Sequence, residues 1–234
     1  AMLAAFSVGA IISAAKAFAE FAKKIGEATG EMRKLSNLSG EALTNATAQA
    51  LALSKVYDQE FGEIASAART LSQQMGLSFE DALDVIQQGF REGANSSGEW
   101  LEMLKEYPTF FNDAKLTAQQ FLDVVSLGED LGIFNDKAVD TVKEGIVRIR
   151  EMTKSTKEAL DIPGLGGEKI QQQIADGTLT LGEAVAMAAR EIGKLGPESA
   201  KTGQAIADIF GGAGEDAGYQ FIKELGKAIQ EGYE

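Results

Sequence analysis

Reactive chemistry in a chain of this composition would have to come from carboxylates, because imidazole and thiol groups are both missing. The 234 residues contain neither His nor Cys. That removes His-activated and thiol nucleophiles, and the ligand sets of most zinc, copper and haem sites. It also removes disulfides and leaves the redox compartment unread. Glu80 with Asp84, and Glu215 with Asp216, are acid pairs of the type that glycoside hydrolysis uses. Acids are 35 of the 234 residues, so pairs arise by chance, and neither pair sits in an apolar run that would raise a carboxyl pKa. No calcium loop of the D-x-[DN]-x-[DN]-G type is present.

The glycine clusters Gly164-Leu165-Gly166-Gly167 and Gly211-Gly212-Ala213-Gly214 invite a phosphate reading. Neither follows a strand or ends in GK[ST], so no backbone N–H groups are aimed at a phosphate. They read as helix punctuation. The expectation is a protein without enzymatic activity, cofactor or metal.

The elements that surround these residues are helical. Alanine is abundant, proline occurs three times, and no strand or hairpin signal appears. Predicted helices run 1–35, 40–57, 60–75, 79–92, 98–106, 118–131, 137–154, 168–175, 181–193, 198–210 and 215–230. Ser96 with Glu99, Thr117 with Gln120, and Thr180 with Glu183 have the spacing of capping boxes. Asp161-Ile162-Pro163-Gly164 breaks the pattern, because Pro163 has no N–H to give a helix. The chain therefore divides into an N-terminal helix (1–35), a helical-hairpin region (36–160) and a C-terminal helical region (161–234).

The hairpin region carries a recurrence. Leu38-Ser39-Gly40-Glu41, Leu77-Ser78-Phe79-Glu80 and Leu116-Thr117-Ala118-Gln119 lie 39 residues apart. Twenty-three residues after each leucine come Phe61, Trp100 and Val139. A period of this size predicts three stacked helical pairs, near 38–76, 77–115 and 116–154. Phe61, Trp100 and Val139 are expected to be buried equivalents. Stacks of this kind serve as spacers or docking surfaces more than as reaction vessels.

Two groups are candidate interaction residues. Phe18, Phe21, Ile25, Ala28, Met32 and Leu35 step by 3, 4, 3, 4, 3, which keeps a narrow apolar seam on one side of a helix. That seam must dock on the chain's own body, on another copy, or on a membrane, and another copy is favoured, giving a homo-oligomer. Trp100, Tyr107, Phe110 and Phe111, around Pro108, form either the core of the middle unit or a docking patch. The net charge of −13 repels phosphate backbones, so direct nucleic-acid binding is not expected. Ala1 to Ala15 are uncharged, but fifteen residues fall short of the roughly 20 that span a bilayer. Membrane contact through residues 1–15 stays open. So does the question of whether the chain, opening on Ala1, is a segment of something longer.

A set of motifs resembles the tape measure proteins of tailed bacteriophages. It begins with Phe90-Arg91-Glu92-Gly93-Ala94-Asn95, Gly98-Glu99-Trp100-Leu101 and Leu104-Lys105-Glu106-Tyr107-Pro108. It continues through Asp136-Lys137-Ala138-Val139-Asp140-Thr141-Val142-Lys143-Glu144 and Arg148-Ile149-Arg150-Glu151-Met152-Thr153. It resumes at Ala205-Ile206-Ala207-Asp208-Ile209-Phe210-Gly211-Gly212 and Gly214-Glu215-Asp216-Ala217-Gly218. The resemblance implies a structural module of the virion tail, assembled in the host bacterial cytoplasm, that acts in tail assembly and length determination and in genome delivery. It implies several copies per tail, with tail tube, tail tip and tail assembly chaperone proteins as partners. Other readings are a membrane-active or pore-forming tail segment and a cell-wall hydrolase. The family includes members with peptidoglycan-cleaving modules, but without histidine this chain holds no zinc peptidase.

Overall fold

The computed structural model describes residues 8–133 and 136–232, with side chains from Lys16 onward except those of Ala17 and Phe18. The described residues form twelve helices and no strand. They are α1 (Val8–Leu35), α2 (Gly40–Tyr57), α3 (Phe61–Met75), α4 (Phe79–Arg91), α5 (Trp100–Glu106) and α6 (Pro108–Asp113). There follow α7 (Ala118–Asp130), α8 (Lys137–Glu151), α9 (Lys154–Asp161), α10 (Gly167–Ala175), α11 (Leu181–Ile192) and α12 (Ala200–Glu231).

Helix starts follow local chemistry. Thr117 and Thr180 each accept from the N–H three residues on, at 3.1 Å, while Gln120 and Glu183 accept the cap residue's own N–H at 2.7 Å. Two orphaned donors are satisfied at each start. These hydrogen bonds hold the Glu183 carboxyl below the usual range. Its stabilising contribution is present above the ordinary glutamate pKa and is lost as pH falls through the lowered one. Ser96 does not cap. Its hydroxyl donates to Glu129, and the first N–H of α5 is taken instead by Asn95 Oδ1 at 3.2 Å. Gly98, at φ +84°, turns the chain between them, a conformation that Ser–x–x–Glu spacing does not anticipate.

Leu38, Leu77 and Leu116 each stand just before the cap residue of α2, α4 and α7. Beyond that the units diverge. Phe61 and Trp100 open α3 and α5, but Val139 is the third residue of α8. Trp100 and Val139 are buried, whereas Phe61 is half-buried. The middle unit holds three helices, because the chain turns at Tyr107 and Pro108 restarts it as the first residue of α6. The expected helix 137–154 ends earlier, at Glu151, and α9 (Lys154–Asp161) follows where no helix was expected. Met152 ends α8 in the left-handed region (φ 49°) and Thr153 caps α9.

Packing centres on two helices. α3 touches α1, α2, α4, α5 and α6, while α12 lies against α7, α8, α9 and α11. α7 meets α4 and α6, and α6 meets α8, so the buried residues form one continuous core. The chain does break at Asp161–Gly167, where Asp161 Oδ1 accepts the Gly167 N–H at 2.8 Å. Because α11 and α12 return onto α7 and α8, this break interrupts the helices and not the core.

The α11–α12 contact depends on a missing side chain. A Cβ on Gly226 would stand 2.7 Å from both the Ala186 carbonyl oxygen and the Arg190 amide nitrogen. Backbone cannot yield as a side chain can. Gly226→Ala is therefore expected to destabilise the fold by about 1–3 kcal/mol, read as a lower urea midpoint.

Candidate functional site

The acid pairs lie on the surface. Asp84 is exposed and accepts from Gln49 Nε2 at 2.7 Å, and Asp216 is exposed and pairs with Lys137 Nζ at 2.6 Å. Among the described residues no cluster of three or more acids could hold a metal ion. A cleft of about 260 Å³ opens between the α1–α2 connection and α3, lined in part by Lys34, Ser36, Arg69 and Ser72. Its hydroxyls are engaged internally. Ser36 donates to the Met32 carbonyl and Ser72 to the Leu77 carbonyl, both at 2.8 Å, so neither is set up as a nucleophile.

The aromatic cluster belongs to the interior. Trp100, Tyr107 and Phe111 are buried, and Phe110 is half-buried. The Trp100 indole N–H donates to the Ile86 carbonyl at 3.2 Å. The Phe121 ring stands edge-on to Phe111, with centroids 4.6 Å apart. Tyr107 donates its hydroxyl to Asp136 Oδ2 at 2.5 Å, which ties the α5–α6 corner to the start of α8. Burial, reinforced by the Asp136 carboxylate, pushes the Tyr107 hydroxyl well above the ordinary tyrosine pKa. Lys143 Nζ lies 5.5 Å from the centroids of both the Tyr107 and Phe110 rings. The Tyr107–Asp136 hydrogen bond carries no sequence signal, because the two residues meet only through tertiary folding.

The α1 seam divides into two parts. Met32 is fully buried, Ala28 is buried and Leu35 is half-buried, all where α1 lies on α2 and α3. Towards the N-terminus the helix leaves the body. Every described side chain from Lys16 to Glu27 is exposed, with Phe21 at 60% and Ile25 at 38%. The Phe18 side chain and residues 1–7 lie outside the described residues. An exposed helix of this length, about 18 Å, gains little from propensity alone and needs a partner for its apolar face. No helix of the described residues is long and apolar enough to cross a membrane.

Charge is unevenly divided along the fold. Residues 1–75 hold seven basic and seven acidic side chains, so the whole excess of −13 sits in residues 76–234. The arm is close to neutral and the body is strongly acidic.

No curated protein and no solved structure matches the chain. A family model described as phage-related minor tail protein matches residues 12–211.

Proposed function

We propose, from the premise that this chain belongs to the phage-related minor tail protein family, that it is a globular structural module of a tape measure protein. Its role is in tail assembly and length determination, with a part in genome delivery. The observation that carries the reading is the arm of α1. It projects from a folded body and presents Phe21 and Ile25 on one side, exposed among the described residues. A helix of this kind joins copies, and copies joined side by side are what an internal tail component requires.

Several features support a structural role over a catalytic one. The acid pairs are exposed, and the hydroxyls of the α1–α3 cleft are engaged with backbone carbonyls. An acidic body also gives DNA sharing the same passage nothing to adhere to. Tail tube, tail tip and assembly chaperone proteins are the proposed partners.

The test is light scattering behind size-exclusion chromatography. Wild-type protein is expected to elute as an oligomer. Phe21→Asp combined with Ile25→Asp is expected to convert it to a folded monomer, its melting temperature lowered only by the stabilisation that association lends the wild type, since both positions are exposed. A wild-type chain that is monomeric at high concentration would remove the self-association reading. Leakage of liposomes that depends on residues 1–15 would transfer the arm to a membrane role.

A further inference from the structure

The cleft between the α1–α2 connection and α3 differs from the rest of the surface in its charge. No carboxylate lines it, in a chain with 35 acids against 22 bases. Lys34, Asn37, Arg69 and Gln73 bring four nitrogen donor groups to its walls, and all four residues are exposed. Among the described residues none of these side chains has a hydrogen-bond or ion-pair partner. Lys34 lies in the last turn of α1, where a cation complements the helix C-terminus. Arg69 has no such account, because it stands more than a turn before the end of α3. Its planar guanidinium is well shaped to receive a carboxylate.

A second hollow, of about 210 Å³, adjoins the cleft. Leu38 and Phe79 line both. Ala42 and Ala46 of α2 complete an apolar floor. Glu80 lines this hollow and not the cleft. Two unpaired cations, an apolar floor and one acid therefore stand side by side on one surface.

We propose that the two hollows form a docking site for an acidic peptide segment of a partner protein, one that carries carboxylates beside a large apolar side chain. The carboxylates pair with Lys34 and Arg69, and the apolar side chain covers Leu38, Ala42 and Phe79. Glu80 repels an acid on the side of the hollow and so fixes which way the segment lies. Two cations are too few to track a nucleic-acid backbone. A second copy would bring its own charge of −13 against this one, and repulsion between the bodies opposes that occupant. A different protein need carry only a local run of acids. The inference rests on the two hollows and stands apart from the reading of the α1 arm.

The test is a titration of the isotope-labelled full chain, followed through its amide chemical shifts, with the blocked peptide Glu-Glu-Leu-Leu as probe. Blocked Lys-Lys-Leu-Leu and inorganic phosphate are the comparison ligands. The acidic peptide is expected to bind at millimolar concentration and to move the amides of residues 34–38, 69–73 and 79. Lys34→Gln with Arg69→Gln is expected to weaken it at least tenfold while the melting temperature holds, since both positions are exposed. Lys34→Glu with Arg69→Glu is expected to take the lysine peptide instead. Ala42→Gln, at an exposed helical position, fills the hollow and is expected to weaken the acidic peptide at least threefold with both cations in place. No binding of the acidic peptide, shifts elsewhere on the chain, or binding that the glutamine pair leaves unchanged overturns the proposal. Phosphate that moves the same amides as strongly reduces the cleft to a small-anion site and overturns the docking. Shifts of the same amides that grow with protein concentration alone assign the surface to a second copy and also overturn it. If either double variant does not fold, Ala42→Gln decides alone, unchanged binding again overturning the proposal.

Discussion

Replacing Trp100 by alanine is expected to remove about 3–5 kcal/mol of folding stability, a large share of what holds a domain together. The indole is wholly buried, where α3, α4 and α7 meet the start of α5. Its N–H reaches the Ile86 carbonyl, and its ring lies 5.9 Å from that of Phe121. It also packs directly against Gly89, where a Cβ would be only 2.3 Å from the ring. Truncation leaves a cavity between elements that are fixed elsewhere and removes the indole's hydrogen bond to the Ile86 carbonyl. A large fall in the urea midpoint with an unchanged m-value is the expected signature. Unchanged melting with weakened self-association would instead mark Trp100 as an interface anchor, contrary to its burial.

Met32→Asp is expected to be about as damaging, on the order of 4–5 kcal/mol or outright unfolding. It places a carboxylate at a position with no exposure, in the turn of α1 that lies on α2 and α3. Phe21→Asp, three turns earlier on the same seam, is expected to change monomer stability by less than about 0.5 kcal/mol. Met32→Leu, which keeps volume and apolarity, should cost below about 1.5 kcal/mol. Thermal denaturation of the three variants side by side reads the point at which α1 leaves the body. Equal melting of Met32→Asp and wild type would mean that α1 is not docked at all.

The seam also shows what was legible in the sequence. The 3, 4, 3, 4, 3 spacing identified one face of one helix from Phe18 to Leu35, because periodicity is local. It could not show where cover ends, since Phe21 and Met32 differ only in what the rest of the chain brings near them. Helix starts were readable where a cap and its partner are three residues apart, as at Thr117 and Thr180. At α5 the Ser96–Glu99 spacing imitated a cap, while the atom that serves is Asn95 Oδ1, five residues before the N–H it receives. α6 was missed because Pro108 reads as a breaker as readily as a first helical residue. α12 leaves helical geometry at Gly211 and again at Gly218, and the second break left no trace in the apolar pattern. The aromatic cluster was visible as a group, but the partners of Trp100 and Tyr107 in α4, in α7 and at Asp136 come from folding.

Under the proposed self-association, the segregation of charge between arm and body also sets how copies would meet in solution. Joining arms brings together bodies that each carry the full −13 excess, while the arms contribute almost no Coulomb attraction. At low ionic strength the Debye length is long, roughly 30 Å at 0.01 M, and body–body repulsion reaches across the space that an arm of about 18 Å provides. At about 0.15 M it shrinks to about 8 Å, and the apolar contact between arms operates almost unopposed. Association through α1 should therefore tighten as salt is added, opposite to the behaviour of an interface made of ion pairs. Dilution into low-salt buffer would then be a gentle way to separate the copies without touching the fold of either.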